Sequence, residues 1–182
     1  MMSTKKLSIR DLCYIGIFTA IITACAQLSI PMPYGVPMTL QTFAIPLAGV
    51  VLGTKKGTFS VLIYVLLGAI GFPVFAGFAG GLSIVLGATG GFILSFPLMA
   101  LTAGIGDSKN NKIWLVCGLL AGAVINYLCG MIYFTVVMSS DLKTAFIACV
   151  LPFIPVAIVK IGLVAVLGKS LKTALLRSKV LV

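Results

Sequence analysis

Long apolar segments, separated by short polar or glycine-rich connections, make up almost the whole chain. Most are near the length of about 20 residues that a helix needs to cross a membrane. They lie near residues 11–30, 39–53, 58–71, 82–105, 112–138 and 151–174. The second and third are short, which indicates tilted helices or helices buried within a bundle. The pattern therefore predicts an all-α integral membrane protein with six transmembrane helices in one domain, residues 1–182.

The composition of the chain agrees with a membrane protein. Hydrophobic residues make up 60% of the 182 residues and charged residues only 9%, whereas soluble domains carry about 25% charged residues. A single soluble core cannot bury this much apolar surface. Most of that surface must therefore face lipid or other helices.

Basic residues are confined to alternate connections. Membrane proteins place such residues on the cytoplasmic side, so both the N- and C-termini are predicted to be cytoplasmic. The opposite connections contain Lys143 alone. The excess of basic residues on the cytoplasmic side explains the net charge of +10. A nucleic-acid partner is therefore not expected. The cytoplasmic set comprises Lys5, Lys6, Arg10, Lys55, Lys56, Lys109, Lys112, Lys169, Lys172, Arg177 and Lys179.

Residues that catalyse reactions or bind metals are scarce. The sequence contains no histidine and no glutamate, and its three acids, Asp11, Asp107 and Asp141, fall near predicted helix ends. Acid–base catalysis and metal sites depend on these residue types, so neither an enzyme nor a metal site is expected. An integral membrane enzyme that modifies lipid remains a competing class, although it would need a nucleophile with a base. A purely structural or assembly subunit is the third class.

Lys160 is the most informative polar position, because it stands alone in the apolar segment 145–168. Eight residues separate it from Pro152 and eight from Gly168, or about 12 Å of helix on each side. A lysine at that depth costs about 2.5–3.5 kcal/mol on insertion scales. We therefore predict that Lys160 is the counter-ion of a ligand carboxylate. The alternatives are a side chain that reaches the membrane interface or one that pairs with a backbone carbonyl.

Further polar residues fall within or at the start of predicted helices. Asn126, followed by Tyr127, lies in the middle of the fifth segment. Its amide can donate and accept hydrogen bonds, which suits a urea or amide group, although an interhelical hydrogen bond is the alternative. Thr39, Gln41 and Thr42 open the second segment, where they cap the helix or line the mouth of a pocket.

The first two predicted outer connections are rich in glycine and proline and carry no charge, and the third holds a short amphipathic stretch followed by two prolines. They span residues 30–37, 71–81 and 139–155. Irregular backbone at membrane depth is tolerated where it lines a cavity, so we predict that these segments fold back over one; plain short turns are the alternative. Phe75 and Phe78 in the second connection are expected to close over an apolar ligand or to anchor the loop in the membrane interface.

Small residues recur every four positions in the first segment, at Gly16, Ala20 and Ala24. Such a stripe permits close approach of another helix. It predicts either internal packing or a surface that docks onto another membrane subunit.

Several blocks of the sequence resemble the BioY family. Residues 36–43, Val-Pro-Met-Thr-Leu-Gln-Thr-Phe, are similar to the Pro-x-Thr-x-Gln-x-Phe segment of that family. Residues 68–81 resemble its glycine-rich block, and residues 87–92 resemble its Gly-Pro-Thr-Gly-Gly-Tyr segment, with Ala88 in place of proline. Residues 151–160 resemble its last motif. The resemblance covers nearly the whole chain.

BioY proteins are the biotin-binding S components of energy-coupling-factor (ECF) importers, which are ABC transporters. The resemblance implies the ECF S-component fold of six helices, in the plasma membrane of a bacterial cell, with a pocket toward the outer face. It also implies partners: a transmembrane coupling protein and two ATPase subunits, which alone bind ATP. The stripe Gly16, Ala20 and Ala24 resembles the motif that docks onto the coupling protein. The chain itself is expected to need no cofactor.

Biotin suits the polar residues named above, but the sequence departs from the family pattern at one position. Its carboxylate suits Lys160, its ureido ring suits amide groups, and its apolar part suits phenylalanine walls. The family usually has aspartate three residues before this lysine, where the chain has Ala157. Four explanations of the missing carboxylate stay open: an introduced substitution, a chain that binds biotin more weakly, a ligand in a shifted position, or another small anionic vitamin as the ligand.

Overall fold

The computed structural model describes residues 8–178, and helices make up most of this part of the chain. A short antiparallel hairpin joins the first two helices, with Ser29 paired to Thr39 and Ile30 to Met38. Single 3-10 turns lie at Pro33–Gly35, Ala76–Phe78 and Leu151–Phe153. The elements are α1 (Ile9–Gln27), β1 (Ser29–Ile30), β2 (Met38–Thr39), α2 (Gln41–Leu52), α3 (Thr54–Ala69), α4 (Leu82–Val85), α5 (Gly90–Ser108), α6 (Lys112–Val137), α7 (Leu142–Cys149) and α8 (Ile154–Arg177).

Four helical segments of the described chain are long and apolar enough to cross a membrane. They are Ile9–Gln27, Gly90–Ser108, Lys112–Val137 and the continuous stretch Leu142–Arg177. These segments confirm an all-helical membrane protein. The shorter α2 is also apolar, and ten of its twelve residues are buried. For α2, the expectation of a short helix enclosed by the bundle is therefore confirmed.

The helices differ from the predicted segments most clearly at two places. The fourth segment was expected to be continuous over 82–105, but α4 stops at Val85 and α5 begins only at Gly90. The chain turns so tightly between them that a Cβ on Gly90 would overlap the Val85 carbonyl oxygen. The first segment was expected to reach residue 30, but α1 ends at Gln27 because Ser29 and Ile30 pair with β2.

Ion pairs hold the helices together at the end of the bundle where α5 and α8 finish. Lys56 on α3 contacts Asp11 on α1 at 2.5 Å, and Lys172 on α8 contacts the buried Asp107 on α5 at 2.5 Å. Two of the three aspartates therefore serve as structural partners of lysines. Part of the basic pattern lies outside the described residues: Lys5, Lys6 and Lys179.

Glycines bring α5 and α6 into close contact. A Cβ on Gly118 would collide with the backbone of α5 at Thr102 and Gly106, and a Cβ on Gly91 would collide with the backbone of α6 at Cys129. Small residues allow such close approach of helices within membranes. The tight fit places the middle of α6 directly against the first turns of α5.

Candidate functional site

A cavity of about 200 Å³ lies at the end of the bundle opposite the lysine-rich helix ends. Three helices begin at its wall: Gln41 is the first residue of α2, while Thr89 and Phe153 immediately precede α5 and α8. Each helix N-terminus carries a partial positive charge of about half a unit. The helix ends therefore make the cavity favourable for electron-rich groups, even before any charged side chain is considered.

Most of the cavity wall is apolar and aromatic. Phenylalanine and tyrosine rings are supplied by α5, α6, the connection between α3 and α4, and the turn before α8, so that flat apolar surfaces surround the space. Such walls with a few placed polar groups are typical of small-molecule sites. The aromatic lining comprises Phe75, Phe92, Phe96, Tyr127 and Phe153.

All three predicted outer connections contribute residues to the cavity, which confirms that they fold over a pocket. The β1–β2 connection provides Gly35, Val36 and Pro37, and residues 70–81, here called the Phe75 loop, provide Phe75, Ala76 and Ala79. The third connection forms α7 and then provides Phe153. The alternative of plain short turns is therefore wrong.

Lys160 reaches the cavity from the second turn of α8 and is only 7% exposed. Its Nζ donates to the Thr39 carbonyl oxygen at 2.6 Å and to Thr42 Oγ1 at 2.9 Å. Both acceptors are neutral, and none of the aspartates within residues 8–178 lines the cavity. The backbone-carbonyl contact raised as an alternative exists, but it leaves the positive charge without a counter-charge from the described part of the chain. An ammonium group has three donors, so one remains for a ligand.

Asn126 is held against α5 by its side-chain nitrogen. Nδ2 donates to the Phe92 carbonyl oxygen at 3.0 Å and to Ser95 Oγ at 2.8 Å. The Phe92 carbonyl can only accept, which fixes the orientation of the amide. The carbonyl oxygen Oδ1 has no donor among the described residues, and Asn126 lines the cavity. Asn126 therefore makes the interhelical contact and also offers an acceptor to a ligand.

Thr39 and Gln41 are largely committed to contacts within the protein. Thr39 Oγ1 donates to Gln41 Oε1 at 2.8 Å, and Gln41 Nε2 donates to the Tyr64 hydroxyl. That hydroxyl donates in turn to the Val74 carbonyl oxygen at 3.1 Å. Both residues line the cavity, but their main effect is to join the Lys160 site to the Phe75 loop.

The two phenylalanines expected to close the cavity occupy different positions. Phe75 is 2% exposed, lines the cavity and packs edge-on against Tyr64, with ring centroids 5.6 Å apart. Phe78 is 71% exposed and does not line the cavity. Closure by Phe78 stays a prediction that would require movement of the loop.

Tyr127 and Ala157 border a crevice of about 10 Å³ that lies beside Lys160 and Asn126. The Tyr127 hydroxyl has no hydrogen-bond partner within residues 8–178. Ala157 lies three residues before Lys160 on the same face of α8 and is half-buried. Since a space of this size holds about one water-sized group, Ala157 is the position from which a longer side chain would reach both polar residues.

Gly16, Ala20 and Ala24 are all exposed on one face of α1. The opposite face of α1 packs into the protein through Ile15, Phe18 and Ile22. The three small residues therefore do not take part in internal packing. Docking of a partner on this face stays a prediction.

Four contributing residues were missed or undervalued from the sequence. Tyr64 could have been recognised from the sequence, because a tyrosine hydroxyl inside an apolar helix needs a hydrogen-bond partner. The contacts of Thr42, Ser95 and Gln27 depend on which helices meet, and no spacing in the sequence reveals them. Gln27 is of special interest because it contacts the Phe75 loop.

The fold and the cavity define a membrane-embedded protein that binds a small molecule. Residues 2–177 match the sequence model of the BioY family, and the chain belongs to that family. The "Probable biotin transporter BioY" of Pyrococcus horikoshii is 40% identical over 163 residues, covering 90% of this chain and 96% of the relative. The "Biotin transporter BioY" of Thermotoga maritima is 38% identical, covering 90% and 96%.

A crystal structure of an S component has the same fold. It is described as the S-component for biotin from an ECF-type ABC transporter. The TM-score is 0.84 at 29% sequence identity, and the superposition covers 95% of each chain. The relatives are named as transporters, so the competing class of lipid-modifying enzymes is set aside.

Proposed function

We propose that this chain is the biotin-binding S component of an ECF-type ABC importer, which captures external biotin for ATP-driven uptake by partner subunits. One observation carries the proposal beyond the family resemblance: Lys160 and the Asn126 carbonyl oxygen offer a donor and an acceptor side by side. They lie within an otherwise apolar, aromatic cavity. Biotin combines a ureido group with an apolar bicycle and tail, which matches this arrangement.

The contacts of Asn126 favour a different orientation of biotin from the one expected from charge alone. A carboxylate can only accept hydrogen bonds, so it would leave the Asn126 oxygen unpaired. A ureido group satisfies both residues, because its oxygen accepts from Lys160 while its N–H donates to Asn126 Oδ1. We therefore place the ureido ring at Lys160 and Asn126, and the carboxylate toward the end of the bundle near Thr89.

The energies support this choice. An unpaired buried acceptor costs about 1–3 kcal/mol. A carboxylate taken out of water loses several kcal/mol of hydration free energy, and an ion pair with Lys160 would only roughly offset that loss. A carboxylate near Thr89 would instead lie at the positive N-terminal end of α5, worth about 0.3–1 kcal/mol. The Lys160 charge remains available to strengthen the hydrogen bond to the ureido oxygen.

A binding titration tests the proposed ligand against another small anionic vitamin. Purified protein in detergent is expected to bind biotin saturably at one site per chain. Pantothenate and nicotinate, which carry a carboxylate but no ureido ring, should not displace labelled biotin even at a hundredfold excess. The assignment to biotin fails if no saturable binding is found, or if either competitor displaces biotin at comparable concentration.

The proposed topology places six helices across the plasma membrane in a single domain, residues 1–182. The six are α1, α2, α3, α5, α6 and α8, and both termini lie in the cytoplasm. Three of these helices begin at the cavity and end beside lysines, so the positive-inside rule supports an outward-facing cavity. Ligand would then enter from outside the cell.

The exposed stripe on α1 is proposed to dock onto the transmembrane coupling protein, which joins the chain to two ATPase subunits. Replacing Ala20 with leucine should reduce biotin uptake about fivefold, because added bulk keeps the helices apart. Biotin binding by the isolated chain should not change. Ala121→Leu is a matched control, since Ala121 is exposed on α6 away from the stripe. Equal losses of uptake in both variants would contradict docking through this face.

A further inference from the structure

The Phe75 loop is fastened to the end of α1 by one side chain. Gln27 Nε2 donates to the carbonyl oxygens of Phe75 at 3.1 Å and Val74 at 3.4 Å, and Gln27 Oε1 accepts the Phe78 N–H at 2.8 Å. A contact from Nε2 to the Thr23 carbonyl oxygen, at 3.2 Å, holds the side chain on α1. Gln27 thus binds both sides of the turn that carries Phe75 into the cavity.

The same loop has a second attachment on its other side. The Tyr64 hydroxyl donates to the Val74 carbonyl oxygen at 3.1 Å, and the Phe75 ring packs over Gly68 so closely that a Cβ there would overlap it. Through Gln41 and Thr39, Tyr64 is connected to the acceptors of Lys160. The loop is therefore held between the binding site on one side and α1 on the other.

Glycine, whose backbone is less restricted than that of other residues, stands at both ends of the loop. Gly71 and Gly81 have φ values of +109° and +99°, in the region that favours glycine. The Phe78 side chain is exposed and gives the loop no buried anchor. Loss of the Gln27 contacts would therefore leave the α1 side of the loop without side-chain hydrogen bonds among those described, while Tyr64 still holds the other side.

We propose that Gln27 is a positioning residue that latches the Phe75 loop over the cavity and thereby sets the rate at which ligand enters and leaves. Gln27 does not line the cavity, so it acts through the loop and not through contact with ligand. The effect on ligand rates rests on the proposed biotin-binding function. The latch itself does not, because its contacts are made by the protein alone.

Hydrogen–deuterium exchange tests the latch without ligand. Gln27→Leu keeps similar bulk but removes both the donor and the acceptor. The Phe78 amide and neighbouring amides of the Phe75 loop should exchange about tenfold faster in this variant. Thr23→Val is the matched control, because the Thr23 hydroxyl lies one turn earlier on α1 and donates only to the Thr19 carbonyl oxygen. Unchanged exchange in Gln27→Leu, or equal acceleration in both variants, would overturn the latch.

Stopped-flow measurement of labelled biotin tests the consequence. Association and dissociation should both accelerate about tenfold in Gln27→Leu, with little change in the equilibrium constant, because a gate alters both directions. Accelerated loop exchange with unchanged biotin rates would overturn the gating role while leaving biotin binding intact. Absence of biotin binding in the unaltered protein would instead overturn the proposed function, and the exchange experiment would still decide whether Gln27 latches the loop.

Discussion

Replacing Lys160 with methionine is expected to weaken biotin binding about 100-fold, or about 3 kcal/mol, the upper end for a hydrogen bond to a charged group. Methionine retains the length and apolar stem of lysine but cannot donate to the ureido oxygen. It also leaves the Thr39 carbonyl oxygen and Thr42 Oγ1 without their present donor. Isothermal titration calorimetry of the purified protein in detergent measures the loss.

The control for this variant lies on the same helix. Lys169→Met removes a lysine nine residues later on α8, outside the cavity, and should leave the affinity unchanged. Two biotin derivatives then separate the ligand orientations. Diaminobiotin, which lacks the ureido carbonyl, should lose as much affinity as the Lys160 variant, whereas biotin methyl ester should bind within a few-fold of biotin. If the methyl ester shows the large loss instead, Lys160 binds the carboxylate.

Lys160 could be identified from the sequence because its signal is local. One cation among apolar residues is costly wherever the helix packs, so the chain itself reveals that the residue needs partners. The identity of those partners could not be predicted. The acceptors, on Thr39 and Thr42, lie 121 and 118 residues earlier in the chain, and only the packing of α2 against α8 brings them to Nζ.

The side-chain amides of Asn126 and Gln41 show a second limit to what the sequence predicts. The sequence indicates that Asn126 and Gln41 have hydrogen-bonding capacity, but not how much the protein itself uses. The Asn126 side-chain nitrogen donates to α5 and its carbonyl oxygen stays available as an acceptor, whereas the Gln41 side chain is hydrogen-bonded to Thr39 and Tyr64. This division is the reason why we propose a ureido ring, and not a carboxylate, as the ligand group at Lys160.

Loop positions were the hardest to predict. Glycine and proline content correctly indicated that the connections cover a cavity, because these residues favour irregular backbone. Yet Phe75 and Phe78, three residues apart, point to opposite environments, one buried and one exposed. The left-handed backbone at Gly77, with φ of +71°, turns the chain between them. Composition alone does not reveal the position of such a turn.

Replacing Ala157 with aspartate is expected to strengthen biotin binding about thirtyfold, or about 2 kcal/mol, the middle range for a charge-assisted hydrogen bond. Ala157 borders the same crevice as Lys160, Asn126 and Tyr127, so an aspartate there would reach the polar end of the cavity. Its carboxylate would accept from the second ureido N–H and would lie close to the Lys160 charge. The same calorimetric titration measures the gain.

The sign of this effect depends on which end of biotin meets Lys160. With the ureido ring there, the new carboxylate adds an acceptor, and affinity rises. With the biotin carboxylate there, Asp would compete for Lys160 and repel a like charge at close range, so affinity would fall. Ala157→Asn separates charge from shape, since it has nearly the same size without the charge and should give a smaller gain. A fall in affinity for Ala157→Asp, with Ala157→Asn near neutral, would therefore reverse the proposed orientation while leaving Lys160 at the centre of the site.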